Sequence, residues 1–94
     1  MKVIITNFFK RSAKKLHKNQ AIILKENIRK IIANPSIGKV KIADLTSVMV
    51  YKFHILHQLT LLAYTYNEEQ AEITLLCFGS HENFYRDLKN QLKN

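Results

Sequence analysis

Glycine, proline, cysteine and tryptophan are nearly absent from this chain of 94 residues, which has two glycines, one proline, one cysteine and no tryptophan. With Cys77 alone there can be no internal disulfide and no Cys-x-x-Cys metal or redox motif, which fits a reducing cytoplasm. Gly38 and Gly79 are too few and too far apart for a glycine-rich phosphate loop. The apolar runs are too short to cross a bilayer, so no membrane association is expected. No signal peptide is expected either, since polar residues resume at Thr6 after Val3, Ile4 and Ile5. Acidic residues are almost missing from the first 41 positions, where Glu26 stands alone among eleven lysines and arginines.

What is present is a hydrophobic content of 47%, enough for one modest core, so a single domain over residues 1–94 is expected. The formal charge of +8 is unevenly spread. Residues 1–41 carry a balance of +10 and residues 42–94 a balance of −2. Such a basic half suits nucleic acid, an acidic protein or an anionic surface, although a solvated lysine-rich helix face reads the same way.

Periodicity outlines the elements. Lys2 to Thr6 is β-branched and reads as a strand. From Asn7 the spacing of Phe9, Ala13 and Leu16 is helical, and a break is expected at Asn19-Gln20. Ile23, Ile28, Ile31 and Ile32 line a second helix that Asn34-Pro35 ends, because proline disfavours helical geometry in the residue before it. The two basic helices are expected to pack as a hairpin. Strands follow at Lys39 to Ile42, Val48 to Ile55, Leu59 to Tyr66 and Glu72 to Phe78, with Asn67 to Gln70 as a turn. In the second of these, Met49, Tyr51, Phe53 and Ile55 share one face, and Val48, Val50, Lys52 and His54 the other. Ser80 can cap a last helix carrying Phe84, Leu88 and Leu92. The expected class is α+β: an N-terminal helical hairpin on a four- to five-stranded, largely antiparallel sheet, with a short C-terminal helix.

Two pairs of residues could carry chemistry. Lys52 and His54 lie two apart on a strand and so share a face, interrupting its apolar row; the plainer reading is a solvated strand end. His81 and Tyr85 lie four apart at a helix start, on one side of its first turn. A histidine there is equipped to pass protons; the plainer reading is a surface histidine and a core tyrosine. His54, His57 and His81 are weak metal-site candidates, so no metal and no cofactor are expected. Cys77 reads as a buried, inert thiol.

The order of elements, the basic hairpin and the segments YKFHI, LLAY and GSHENFY resemble the RelE/ParE superfamily of bacterial toxins, and especially its YafQ-type branch. His54 then falls on the branch's strand histidine, His81 on its C-terminal histidine and Tyr85 on the aromatic that follows. Lys52 stands where related toxins often place an arginine. Two positions depart from the pattern: Cys77 replaces an arginine of the last strand, and Gln58 is the nearest counterpart of an acidic residue.

The resemblance implies a toxin neutralised by a cognate acidic antitoxin that wraps the basic hairpin. Its activity would be metal-independent endoribonuclease cleavage of mRNA on the ribosome. His81 would then serve as general acid and His54 as general base. Lys52 and Arg86 would hold the phosphate, and Tyr85 would orient a base. Lys10, Lys14, Lys39 and Lys41 would bind RNA. The alternative within the same superfamily is a ParE-like toxin that poisons DNA gyrase without cutting RNA. A plain nucleic-acid-binding module is the third reading, but the chain lacks a recognisable base-reading motif.

Overall fold

The computed structural model describes residues 1–43 and 46–92. Eight elements follow one another: β1 (Lys2–Ile5), α1 (Asn7–Lys14), α2 (Lys18–Ala33), β2 (Lys39–Ala43), β3 (Thr46–Ile55), β4 (Gln58–Asn67), β5 (Glu72–Ser80) and α3 (His81–Leu92). This is the α+β order read from the sequence.

The chain leaves β1 through Thr6, whose hydroxyl oxygen accepts the Phe9 amide and donates to the Leu76 carbonyl at 3.0 Å. One side chain thus starts α1 and ties it to β5. The helix break falls at residues 15–17, earlier than the expected Asn19-Gln20. The reason is local: the Gln20 side chain reaches back to accept the His17 amide at 2.8 Å, which draws Asn19 and Gln20 into the first turn of α2.

The sheet order is β1-β5-β4-β3-β2. β2 to β5 form the expected antiparallel meander, and β1 adds a parallel pairing with β5 at the far edge. At the meander's turns, Leu56 and Ala71 take positive φ, at 57° and 50°. Asn67 accepts the Gln70 amide through its side chain, fixing the second of these turns.

A bulge in β5 decides which residues face which way. Tyr64 pairs with Leu75 but Ala63 pairs with Cys77, which leaves Leu76 as the extra residue. Upstream of it, Ile73 and Leu75 face α1 and α2. Downstream, strand alternation sends Phe78 to that same core, and Cys77 and Gly79 to the opposite face.

The sheet is therefore covered on both sides. On one face Phe9, Leu24 and Ile31 pack on Phe53, Ile55, Leu62, Tyr64, Ile73, Leu75 and Phe78, with Met49 and Tyr51 against them. On the other, Phe84 and Leu88 of α3 pack on Val48, Val50, Leu61, Ala63 and Cys77. The two-sided alternation read in β3 matches this division. One polar pair lies half-buried against the first core: Tyr51 donates to the Asn27 side-chain oxygen at 2.9 Å, and the Asn27 amide donates to the Ile23 carbonyl.

Candidate functional site

Strand register places the candidate residues. His54 pairs with Leu59, and Lys52 pairs with Leu61, which pairs in turn with Gly79. Lys39 pairs with Val50, which pairs with Ala63, and Lys41 pairs with Val48. Directly paired residues share a face. Lys39, Lys41, Lys52 and His54 therefore stand on the α3 side of the sheet, and all four are exposed. The three lysines rim a groove of about 260 Å³ floored by Val50.

α3 follows β5 without a loop. Ser80 ends the strand opposite Thr60, and His81 begins the helix. Ser80 thus holds the cap position, but among the described residues its hydroxyl makes no hydrogen bond to the helix. The helix orients its own residues. Phe84 and Leu88 face the sheet, so Arg86, two positions from each, projects to solvent. Asp87 lies on the flank that meets α1, where it shares a polar cleft with Phe8 and Arg11. The opposite flank carries His81 and Tyr85, with ring centroids 5.8 Å apart in an edge-on arrangement. That flank lies on the side away from α1, and Lys52 and His54 stand on β3, the strand beyond β4. Tyr85 is 44% exposed and rests edge-on against Phe84, so it is a surface aromatic and not core filling.

One face thus assembles His81, Tyr85, Lys52, His54, Lys39 and Lys41. Three expected residues stand elsewhere. Arg86 lies on the outer side of α3, paired with Asp87 at 3.6 Å. Lys10 and Lys14 border a separate groove of about 410 Å³ between α1 and α2, lined by Ile5, Phe9, Ala13, Ala21, Leu24 and Ile28. Their charge belongs to the hairpin side of the molecule.

The two departures are explained by burial and strand parity. Cys77 is fully buried beneath α3, and burial, reinforced by Asp87, pushes its thiol up to about 12. An arginine there would have to be desolvated among Phe84 and Leu88. Gln58 pairs with Ile55, on the hairpin face, so it does not join His54. Among the described residues no three of His, Cys, Asp and Glu stand close enough together to hold a metal ion.

The sequence model of the ParE-like toxins of type II bacterial toxin-antitoxin systems matches residues 3–89. The chain belongs to this toxin family. No curated protein matches the toxin significantly. Among solved structures, its fold is similar to a chain of the intact E. coli RelBE toxin-antitoxin complex, with a TM-score of 0.69 and 15% identity over 84% of the toxin and 94% of that chain. A double arginine-to-alanine mutant of E. coli RelE in the free state gives the same score and identity, over 95% of each chain. At that identity the likeness speaks for the fold.

One structural support of the toxin's site could not be read from the sequence. Tyr64, on the hairpin face of β4, donates to the Pro35 carbonyl at 2.6 Å and accepts the Gly38 amide at 3.1 Å. It thereby pins the connection from α2 to β2 immediately before Lys39. Burial raises the Tyr64 phenol above its ordinary value, with the Gly38 amide opposing. No helix of the described residues is long and apolar enough to cross a membrane.

Proposed function

We propose that this toxin is a metal-independent endoribonuclease that cuts mRNA on the ribosome. The observation that carries the reading is the shared face: two exposed histidines and a lysine rooted on β3 and at the β5–α3 junction. His54 and the end of β5 are two strands apart, about 10 Å at the usual strand spacing. Two imidazoles rooted at that separation can converge on opposite sides of one phosphodiester.

RNA brings its own nucleophile, the 2′-hydroxyl. Neutral His54 takes its proton as the oxygen attacks phosphorus. The bond to the 5′-oxygen breaks, and protonated His81 donates a proton to that leaving oxygen. The products are a 2′,3′-cyclic phosphate and a free 5′-hydroxyl. Lys52 offsets charge on the phosphate oxygens, Tyr85 orients a neighbouring base, and Lys39 and Lys41 track the strand. Proton-transfer roles of this kind are worth about 10²–10⁴ in rate. His81→Ala should therefore abolish mRNA cleavage and growth arrest while the protein stays folded. Wild-type toxicity in the folded variant would sink the assignment.

The partner is a cognate acidic antitoxin. The apolar groove between α1 and α2, edged by Lys10, Lys14 and Lys25, suits an amphipathic segment with acidic flanks that folds as it binds. Charge complementarity would speed the encounter. A cytoplasmic location accords with targets of this kind.

A second reading is supported by the ParE-like family match and by the lack of a charged side chain at Cys77, which is buried, and at Gln58, which stands on the hairpin face. In it the toxin poisons DNA gyrase and needs neither histidine. Double-strand DNA breaks on induction, with translation initially unaffected, would decide for it.

A further inference from the structure

The chain has only two glycines, and they differ in what their surroundings demand. A Cβ on Gly38 would come within 2.9 Å of the Tyr64 hydroxyl and 3.2 Å of the Val50 carbonyl, so packing requires the glycine. A Cβ on Gly79 would meet nothing within 4 Å. Gly79 has no positive φ. It lies inside β5, paired with Leu61, and neither ends a helix nor forms the bulge. Glycine within a strand lowers stability, because it loses the most chain entropy on folding and packs no side chain. Neither crowding nor backbone geometry accounts for it.

The open space above Gly79 is on the functional face. Gly79, Leu61 and Lys52 form one cross-strand row, so the opening lies about two strand spacings, roughly 10 Å, from the root of Lys52. Leu61, between them, is fully buried beneath α3, so Lys52 and the opening flank it on either side. Two residues along the chain, His81 opens α3. A strand glycine facing open space beside a cation and an imidazole is where a ligand backbone can lie directly on the sheet.

We propose that Gly79 is the seat of the scissile sugar–phosphate, its missing side chain letting the RNA backbone settle against β5 between Lys52 and His81. The proposal rests on the RNA-cleavage reading above. It adds a specificity-determining residue to that site. A methyl group at position 79 would lift the phosphate away from both groups, and displacements near 1 Å can cost about 100-fold in rate.

The test is Gly79→Ala and Gly79→Val in the full chain, alongside His81→Ala. Thermal midpoint and single-turnover cleavage of ribosome-bound mRNA are measured for each. We expect the midpoint to hold or rise from Gly to Ala to Val, because the added Cβ meets no atom and strand propensity improves. Cleavage should fall at least about tenfold in Gly79→Ala and further in Gly79→Val. Full cleavage by a stable Gly79→Ala, with His81→Ala inactive, overturns the seat and leaves the nuclease reading standing. A midpoint that falls in step with cleavage also overturns it, since Gly79 would then be structural. If the wild-type protein cuts no mRNA, the nuclease reading fails and the seat fails with it.

Discussion

The Tyr64 hydroxyl donates a 2.6 Å hydrogen bond to the carbonyl of Pro35. Through it, a strand in the middle of the sheet holds the loop that feeds β2, and hence the two lysines of that strand. Tyr64→Phe leaves the Pro35 carbonyl and the Gly38 amide without this partner. The loss should cost about 1–3 kcal/mol, measurable by urea unfolding. Gly38→Ala attacks the same joint from the other side and should also destabilise, because its Cβ meets the Tyr64 hydroxyl at 2.9 Å. The double variant should lose less than the two single losses combined, as expected for residues in direct contact.

Leu56 should respond in the opposite sense. It is 51% exposed at a two-residue turn and holds a φ of 57°, where a side chain on Cβ is crowded. Leu56→Gly relieves strain worth about 1–2 kcal/mol and gives back about 0.5–1 kcal/mol in chain entropy. The variant should therefore gain up to about 1 kcal/mol, or a few degrees in thermal midpoint for a domain of this size.

Cys77 predicts how stability changes in alkali. Its folded thiol is raised from an ordinary value of 9.0 to about 12. Below pH 9 both the folded and unfolded chains keep the proton, and the contribution is fully present. Above it the unfolded thiol ionises while the folded one does not, so stability declines as the pH climbs toward about 12. Tyr64, also raised, adds in the same direction. Cys77→Ala should flatten the lower part of this decline in pH-dependent denaturation. In native protein at pH 8, alkylation of the thiol should be undetectable until the protein is unfolded.

The two basic surfaces should separate by mutation. Charge reversal of Lys39 and Lys41 should reduce RNA binding and flatten its salt dependence by about one unit of log–log slope per lost phosphate contact. Reversal of Lys10 and Lys14 should leave that slope nearly unchanged and instead slow association with the antitoxin, read by stopped-flow mixing. Equal effects of both pairs on RNA binding would refute the division of the two faces.

Strand residues were legible in the sequence wherever local periodicity was enough. The alternation along β3 assigned Lys52 and His54 to one face and Tyr51 and Phe53 to the other, and the sheet agrees. The spacing of Phe84 and Leu88 identified the buried stripe of α3. The parallel pairing of β1 with β5 was not legible, because a period of two says which face is buried and nothing about which strand lies alongside. The Leu76 bulge was hidden for a related reason: it is a mismatch between two strands, and the bulged residue is a leucine with no glycine beside it to mark it. The break before α2 was misplaced because histidine is an uncommon cap residue and the device that forms the turn is the Gln20 side chain. Of the basic residues, the sequence showed their number and their crowding into the first 41 positions but not which face of the folded molecule each occupies. The packing of Asp87 toward α1 reveals that His81 and Tyr85 occupy the flank of α3 away from that helix.

The parallel pairing of β1 with β5 also sets an order of events during synthesis. β1 is made early and its partner, Glu72–Ser80, nearly last. The Thr6 hydroxyl that starts α1 bonds to a carbonyl 70 residues further on. At about 5–20 residues per second, the first strand waits roughly 4–14 s for the strand that completes it. Until then α1 has no floor for Phe9, and the sheet cannot close. The molecule behaves as a clasp that shuts late, so a truncated translation product ending before residue 72 contains neither β5 nor α3 and cannot assemble the face that carries His81.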